Sequence, residues 1–173
     1  MPKSAVATVL TVEDDPIVRA DLRLVLEDAG FEVCADARDG VEAVELAREH
    51  RPDVILLDLG LPRLDGVEAT RRIRDERDVP IVALTGNREG DLLERALEAG
   101  AGSYVLKPYA ENEVVGAVLA ALANHGEQGI GSAREESRQA IAHVLGLLGY
   151  PEEWAIELEE RSFRAGRRWH ISA

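Results

Sequence analysis

The chain has 173 residues, 46% apolar and 31% charged, a composition that excludes a wholly disordered chain or a collagen-like fibre. Thirty-three acidic residues against 20 basic ones give a formal charge of −13, which argues against a broad electropositive surface for nucleic acid. The single cysteine, Cys34, forms neither an internal disulfide nor a cysteine-based zinc site, and no apolar run approaches the roughly 20 residues that span a bilayer. The apolar run at 5–12 stops at Glu13, Asp14 and Asp15 where a signal peptide would need small residues, so a cytoplasmic setting without membrane contact is expected.

From the N-terminus, two kinds of segment alternate. Residues 5–12 are short, β-branched and apolar on both alternating faces, as a strand covered from both sides should be. Similar runs lie at 31–35, 54–57, 80–84 and 103–106. Helical periodicity fills the gaps. After Asp15-Pro16, the residues Val18, Leu22, Val25, Leu26 and Ala29 share one helical face, and Gly30 follows as a stop. Asp39 and Asp65, each with a glutamate three residues on, cap the second and third helices. A fourth helix is predicted over 88–99 and a fifth over 111–123. Five βα units in this order imply an α/β fold, a doubly wound parallel sheet with helices on both faces.

At residue 124 the texture changes. Residues 124–132 carry three glycines in nine positions and read as a linker, and 133–173 read as a helical extension. Ile141, Val144, Leu145 and Leu148 share one face of a first helix there, and Trp154, Leu158 and Phe163 mark a second. Two helices are too few for an independent core, so they are expected to dock on the main domain or on a second copy.

In a parallel α/β sheet, ligands gather beyond the carboxyl ends of the strands. Glu13 and Asp14 follow the first strand, Asp58 the third, Thr85 the fourth and Lys107-Pro108 the fifth. Crowded carboxylates repel, and a hard divalent cation with oxygen ligands relieves them. Such an ion accepts phosphate oxygens as well, and an ammonium and a hydroxyl complete what a phosphoryl group needs. The set suggests phosphoryl transfer onto a carboxylate. Lysine is used only at Lys3 and Lys107, so an ammonium directly after the last strand is no interchangeable surface charge. Asp15 reads as an N-cap before proline and not as a third metal acid. Cys34 reads as a small core residue.

These residues also resemble a known family. Val12-Glu-Asp-Asp15, Leu57-Asp-Leu-Gly-Leu-Pro-Arg-Leu-Asp-Gly66, Ala83-Leu-Thr-Gly86 and Ala99-Gly-Ala-Gly-Ser-Tyr-Val-Leu-Lys-Pro108 are similar to the motifs of receiver domains from bacterial two-component response regulators. The resemblance covers residues 5–123 and implies a five-stranded flavodoxin-like sheet of order 2-1-3-4-5. By motif it implies Asp58 as the phosphoacceptor. It implies Mg²⁺, with Mn²⁺ as a substitute, held by Asp14, Asp58 and the backbone carbonyl of Gly60, with Glu13 acting through water. Thr85 and Lys107 would bind the phosphate, Tyr104 would be the switch aromatic, and Lys107-Pro108 would be a cis peptide bond. The implied partner is a sensor histidine kinase or phosphotransfer protein, and the expected output is a homodimer through the fourth helix, fifth strand and fifth helix, or altered docking of the C-terminal helices. Gly60 leaves no side chain near the phosphate. Hydrolases with an aspartyl-phosphate intermediate often place a second Asp there, so a signalling protein with slow self-hydrolysis is expected in place of an enzyme.

The last stretch, 161–173, holds Arg161, Arg164, Arg167 and Arg168 with no acid. It reads first as a solvated, cationic helix end. The alternative is a nucleic-acid contact by Arg164, Arg167 and Arg168, which would make the chain a phosphorylation-switched RNA- or DNA-binding regulator.

Overall fold

The computed structural model describes residues 6–86 and 90–126. The apolar runs become the strands β1 (Thr8–Val12), β2 (Glu32–Ala37), β3 (Val54–Asp58), β4 (Ile81–Thr85) and β5 (Ser103–Leu106). Between and after them run α1 (Pro16–Asp28), α2 (Gly40–His50), α3 (Gly66–Glu76), α4 (Gly90–Glu98) and α5 (Glu111–Gly126). All strand pairs are parallel, in the order β2-β1-β3-β4-β5. This is the doubly wound, flavodoxin-like arrangement expected from the sequence. Among the described residues no helix is long and apolar enough to cross a membrane.

The sheet separates two cores. Leu22, Leu26 and Val118 from α1 and α5 pack on Val9, Leu56 and Leu84 on one face. On the other, Ala43, Val67, Ile73 and Ala96 from α2, α3 and α4 pack on Leu10, Ile55, Leu57 and Ala83. The central strands β3 and β4 are buried along their whole length, which is why they read as unbroken apolar runs. Each fully buried Leu or Ile there contributes about 1.5–3 kcal/mol relative to an exposed one.

The helix starts follow the sequence. Asp15 Oδ1 accepts the N–H groups of Ile17 and Val18, so it caps α1 as expected. Asp39 caps α2 through Val41 and Glu42, and Asp65 caps α3 through Glu68. The reciprocal half of the capping box differs: Glu42 reaches back to the N–H of Arg38, one residue before the cap. Gly30, at φ 90°, and Gly100, at φ 113°, end α1 and α4 in conformations that disfavour a side chain.

Some boundaries move. β1 begins at Thr8, past the exposed Val6. β2 runs two residues beyond its apolar stretch, through Asp36 and Ala37. Its register shifts between Val9 and Leu10, so Cys34 is the extra residue, its thiol donating to the Val9 carbonyl at 3.4 Å. α5 continues to Gly126, so residues 124–126 are helical where the glycine content suggested linker. The remaining linker positions and the expected helices of 133–173 lie outside the described residues.

Candidate functional site

The strand order dictates which residues can meet. β1 and β3 are neighbours, so the acids after β1 stand beside Asp58 at the end of β3. One carboxylate oxygen from each of Glu13, Asp14 and Asp58 lies within 4.8 Å of the other two. Glu13 and Asp58 are buried, whereas Asp14 is exposed at the mouth. Asp15 is engaged at the α1 cap and does not join this cluster.

Lys107 enters from the far side. The β4–β5 register sets it beside Thr85, whose carbonyl accepts the Lys107 N–H at 2.8 Å. Its Nζ donates to Glu13 Oε2 at 2.7 Å and to Asp58 Oδ2 at 3.3 Å. The Lys107–Pro108 bond is cis, as expected. Thr85, buried at the end of β4, sits one residue past the Asp58–Leu84 pair. Tyr104, half-buried on β5 opposite Ala83, packs against the second core.

Gly60 donates its N–H to Asp58 Oδ1. Among the described residues, a Cβ built at Gly60 would meet only that oxygen, and one at Gly86 would meet nothing within 4 Å. Both positions are therefore open lips of the cleft. The loop carrying Gly60 is held from below by Gly66, where a Cβ would lie 2.5 Å from the Asp58 carbonyl oxygen.

The electrostatics follow from this crowding. Burial pushes the Glu13 carboxyl up; the Lys107 hydrogen bond opposes it, and the Asp58 charge reinforces it. Burial alone would lower the Lys107 ammonium, but its hydrogen bond to Glu13 and the charges of Asp58 and Glu13 outweigh that and raise it. Lys107 is thus held charged between two carboxylates.

Two contributors escaped sequence reasoning. Arg19 Nη1 donates to the carbonyls of Glu13 at 2.8 Å and Asp14 at 3.4 Å, holding the acidic turn from α1. Tyr109 is half-buried close enough to Lys107, Glu13 and Asp58 to feel their charges, and burial raises its phenol. Arg19 gave no signal, since one arginine among many on a helix looks like a solvated charge; Tyr109 could have been found from its place after Lys107-Pro108. Arg164, Arg167 and Arg168 lie outside the described residues.

The donor set fits a hard divalent cation: three carboxylates converge, all oxygen donors, with one of them exposed to solvent. A single lysine offsets only part of their charge.

Comparisons with known proteins agree with this geometry. A family model described as the response regulator receiver domain matches residues 9–119. The transcriptional regulatory protein PdtaR of Mycobacterium tuberculosis is 39% identical over 147 residues, covering 81% of this chain and 72% of that one. The transcriptional regulatory protein CseB of Streptomyces coelicolor is 43% identical over 159 residues, covering 92% and 67% respectively. Among solved structures, the receiver domain of the sensor histidine kinase PA1611 from Pseudomonas aeruginosa, described with magnesium coordinated in its active site cleft, matches with a TM-score of 0.59. It is 39% identical and covers 64% of this chain and 93% of its own. The signal receiver domain of a response regulator NarL from Mycobacterium tuberculosis matches at TM-score 0.63 and 31% identity, covering 66% and 94%. With its acidic cluster at the end of this sheet, the chain belongs to the response regulator receiver family.

Proposed function

We propose that Asp58 accepts a phosphoryl group from the phosphohistidine of a sensor kinase or phosphotransfer protein. A carboxylate oxygen of Asp58 attacks phosphorus; the P–N bond breaks, and its electron pair returns to the imidazole, which takes a proton from solvent. Asp14, Asp58 and the Gly60 carbonyl are assigned as ligands for Mg²⁺, or Mn²⁺ in its place, with Glu13 acting through water. When bound, the ion neutralises the crowded carboxylates and the oxygens of the incoming group. Lys107 binds a phosphoryl oxygen, and the hydroxyl of Thr85 binds another. Movement of Thr85 toward the phosphate lets Tyr104 turn inward, which changes the surface of α4, β5 and α5. That surface is the site assigned to homodimerisation.

The observation that carries this reading is the position of Lys107 Nζ, 2.7 Å from Glu13 and 3.3 Å from Asp58, at the rim of a carboxylate cluster. The test is Asp58→Asn. With Mg²⁺ and acetyl phosphate, wild type acquires label and the variant does not; equal labelling of both overturns the assignment.

A second reading draws on the names of PdtaR and CseB as transcriptional regulatory proteins. It assigns Arg164, Arg167 and Arg168 to an RNA or DNA contact switched by the receiver. Salt-dependent binding that is lost on removing residues 161–173 supports it, and unchanged affinity overturns it.

A further inference from the structure

At the other end of the sheet, α2 and α3 finish side by side. Arg51 lies three residues before β3 and Arg77 four before β4, so this is the amino edge of the strands, away from Asp58. A cleft of about 90 Å³ opens between the two helix ends. Its floor is apolar, made by Val44, Ala47 and Ile73, and its rim carries Arg48, Arg51 and Arg77 with one acid, Glu76. Glu76 is taken by Arg48 over 2.5 Å. Neither Arg51 nor Arg77 makes an ion pair among the described residues. The nearby Asp53 accepts hydrogen bonds from the backbone and hydroxyl of Thr8, and its charge reaches Arg77 without an ion pair. Arg77 Nη1 is enclosed, with no hydrogen-bond partner among the described residues. An enclosed guanidinium nitrogen beside a second unpaired arginine costs free energy until an anion arrives.

We propose that this cleft is the docking site for the glutamate-rich segment 152–160 of the same chain. The place where the described chain leaves off supports it. α5 ends at Gly126, and His125 Nε2 donates to the carbonyl of Asp78 at 3.0 Å, the residue next to Arg77. The segment's sequence is Glu-Glu-Trp-Ala-Ile-Glu-Leu-Glu-Glu, five acids and no base. It is separated from Gly126 by 25 residues, which at up to about 3.3 Å each span far more than the distance to a neighbouring wall. Arg51 and Arg77 take carboxylates, and the apolar floor offers contact to an apolar side chain of the segment, Trp154 or Leu158. A basic hollow on a chain of net charge −13 selects an acidic partner that also carries an apolar anchor, and the chain supplies one. Docking there leaves Arg161, Arg164, Arg167 and Arg168 outside the contact.

The test uses the full, unphosphorylated chain, so its result is independent of Asp58. Hydrogen exchange is compared for wild type, the segment variant E152K/E153K/E157K, the cleft variant R51E and their combination. Docking requires at least a fivefold faster exchange at 44–51 and 73–77 in each single-sided variant, with partial recovery when opposite charges are recombined. A second readout is acrylamide quenching of Trp154 in a Trp169→Phe background, which rises about threefold with Arg51→Glu. Unchanged exchange in the segment variant overturns the proposal. Protection that fades on dilution assigns the cleft to a second copy and overturns the intrachain contact. Protection by inorganic phosphate, with no effect of the segment variant, assigns it to a small anion and overturns it equally.

Discussion

Gly60 donates its backbone N–H to Asp58 Oδ1 over 3.1 Å, and a Cβ in its place would stand 3.7 Å from the same oxygen. Oδ2 faces Lys107. The two oxygens of one carboxylate are thereby distinguished, one tied to its own loop and the other turned to the ammonium. A side chain at position 60 would shield the first side from water. Gly60→Leu is therefore expected to slow loss of the acyl phosphate by about three- to tenfold, up to about 1.4 kcal/mol of barrier. Decay of the labelled protein in excess EDTA measures it, and an unchanged half-life contradicts the geometry.

Neighbouring acids do different work. Asp15 Oδ1 serves the α1 N-terminus, whereas Asp14 stands with Glu13 and Asp58. Asp15→Ala is expected to cost about 1 kcal/mol of stability and to leave Mg²⁺ affinity within twofold. Asp14→Asn is expected to weaken Mg²⁺ binding at least tenfold. Urea unfolding and calorimetric titration with Mg²⁺ separate the two.

The sequence carried the fold because β3 and β4 are buried along their whole length and leave an unmixed apolar signature. It failed where burial is partial. The end of β2 was hidden by Asp36, a charge that looks out of place in a strand until Arg23 and the Thr11 hydroxyl are seen to bind it. The candidate site was legible because its carboxylates, hydroxyl and lysine each end or directly follow a strand. Their mutual preferences were not legible, since Lys107 lies closer to Glu13 than to Asp58 and only three-dimensional register decides that. Arg19 was invisible for the same reason: its partners are backbone carbonyls, which no residue pattern announces.

Removing the ammonium leaves two buried carboxylates facing each other. Lys107→Met is expected to lower stability by about 1–3 kcal/mol, below the full cost of breaking a buried pair because the lysine is partly exposed. The lost cation can be replaced from solution. Mg²⁺ should therefore stabilise the variant more than wild type in urea unfolding, and EDTA should abolish the difference. An equal response in both proteins would show that lysine and ion do not share these carboxylates.

Gly66 has no room for a methyl group. Its Cβ would stand 2.5 Å from the Asp58 carbonyl oxygen and 2.6 Å from Leu59 Cα, both backbone atoms that cannot rotate away. Gly66→Ala is expected to cost about 2–3 kcal/mol, read as a lower urea midpoint at unchanged slope. Gly86→Ala, with nothing within 4 Å among the described residues, serves as the neutral control.

Cys34 supplies a pH signature remote from the acids. Burial raises its thiol above the ordinary range. The folded protein thus holds the thiol proton more tightly than the unfolded chain does. This contribution is fully present below the unfolded thiol pKa and is lost as pH rises through the folded one. Ellman's reagent at pH 8 should react more slowly with native protein than with protein in urea, and equal rates would contradict the burial.

The strand order has a bearing on synthesis. β1 delivers its acids early, but Lys107 follows β5, the last strand, and is separated from Glu13 by 94 positions. A ribosome-bound chain that has not yet released β5 holds repelling carboxylates without their ammonium. The pairing of Glu13 and Asp58 with an ammonium therefore forms only once β5 has joined the far edge of the sheet.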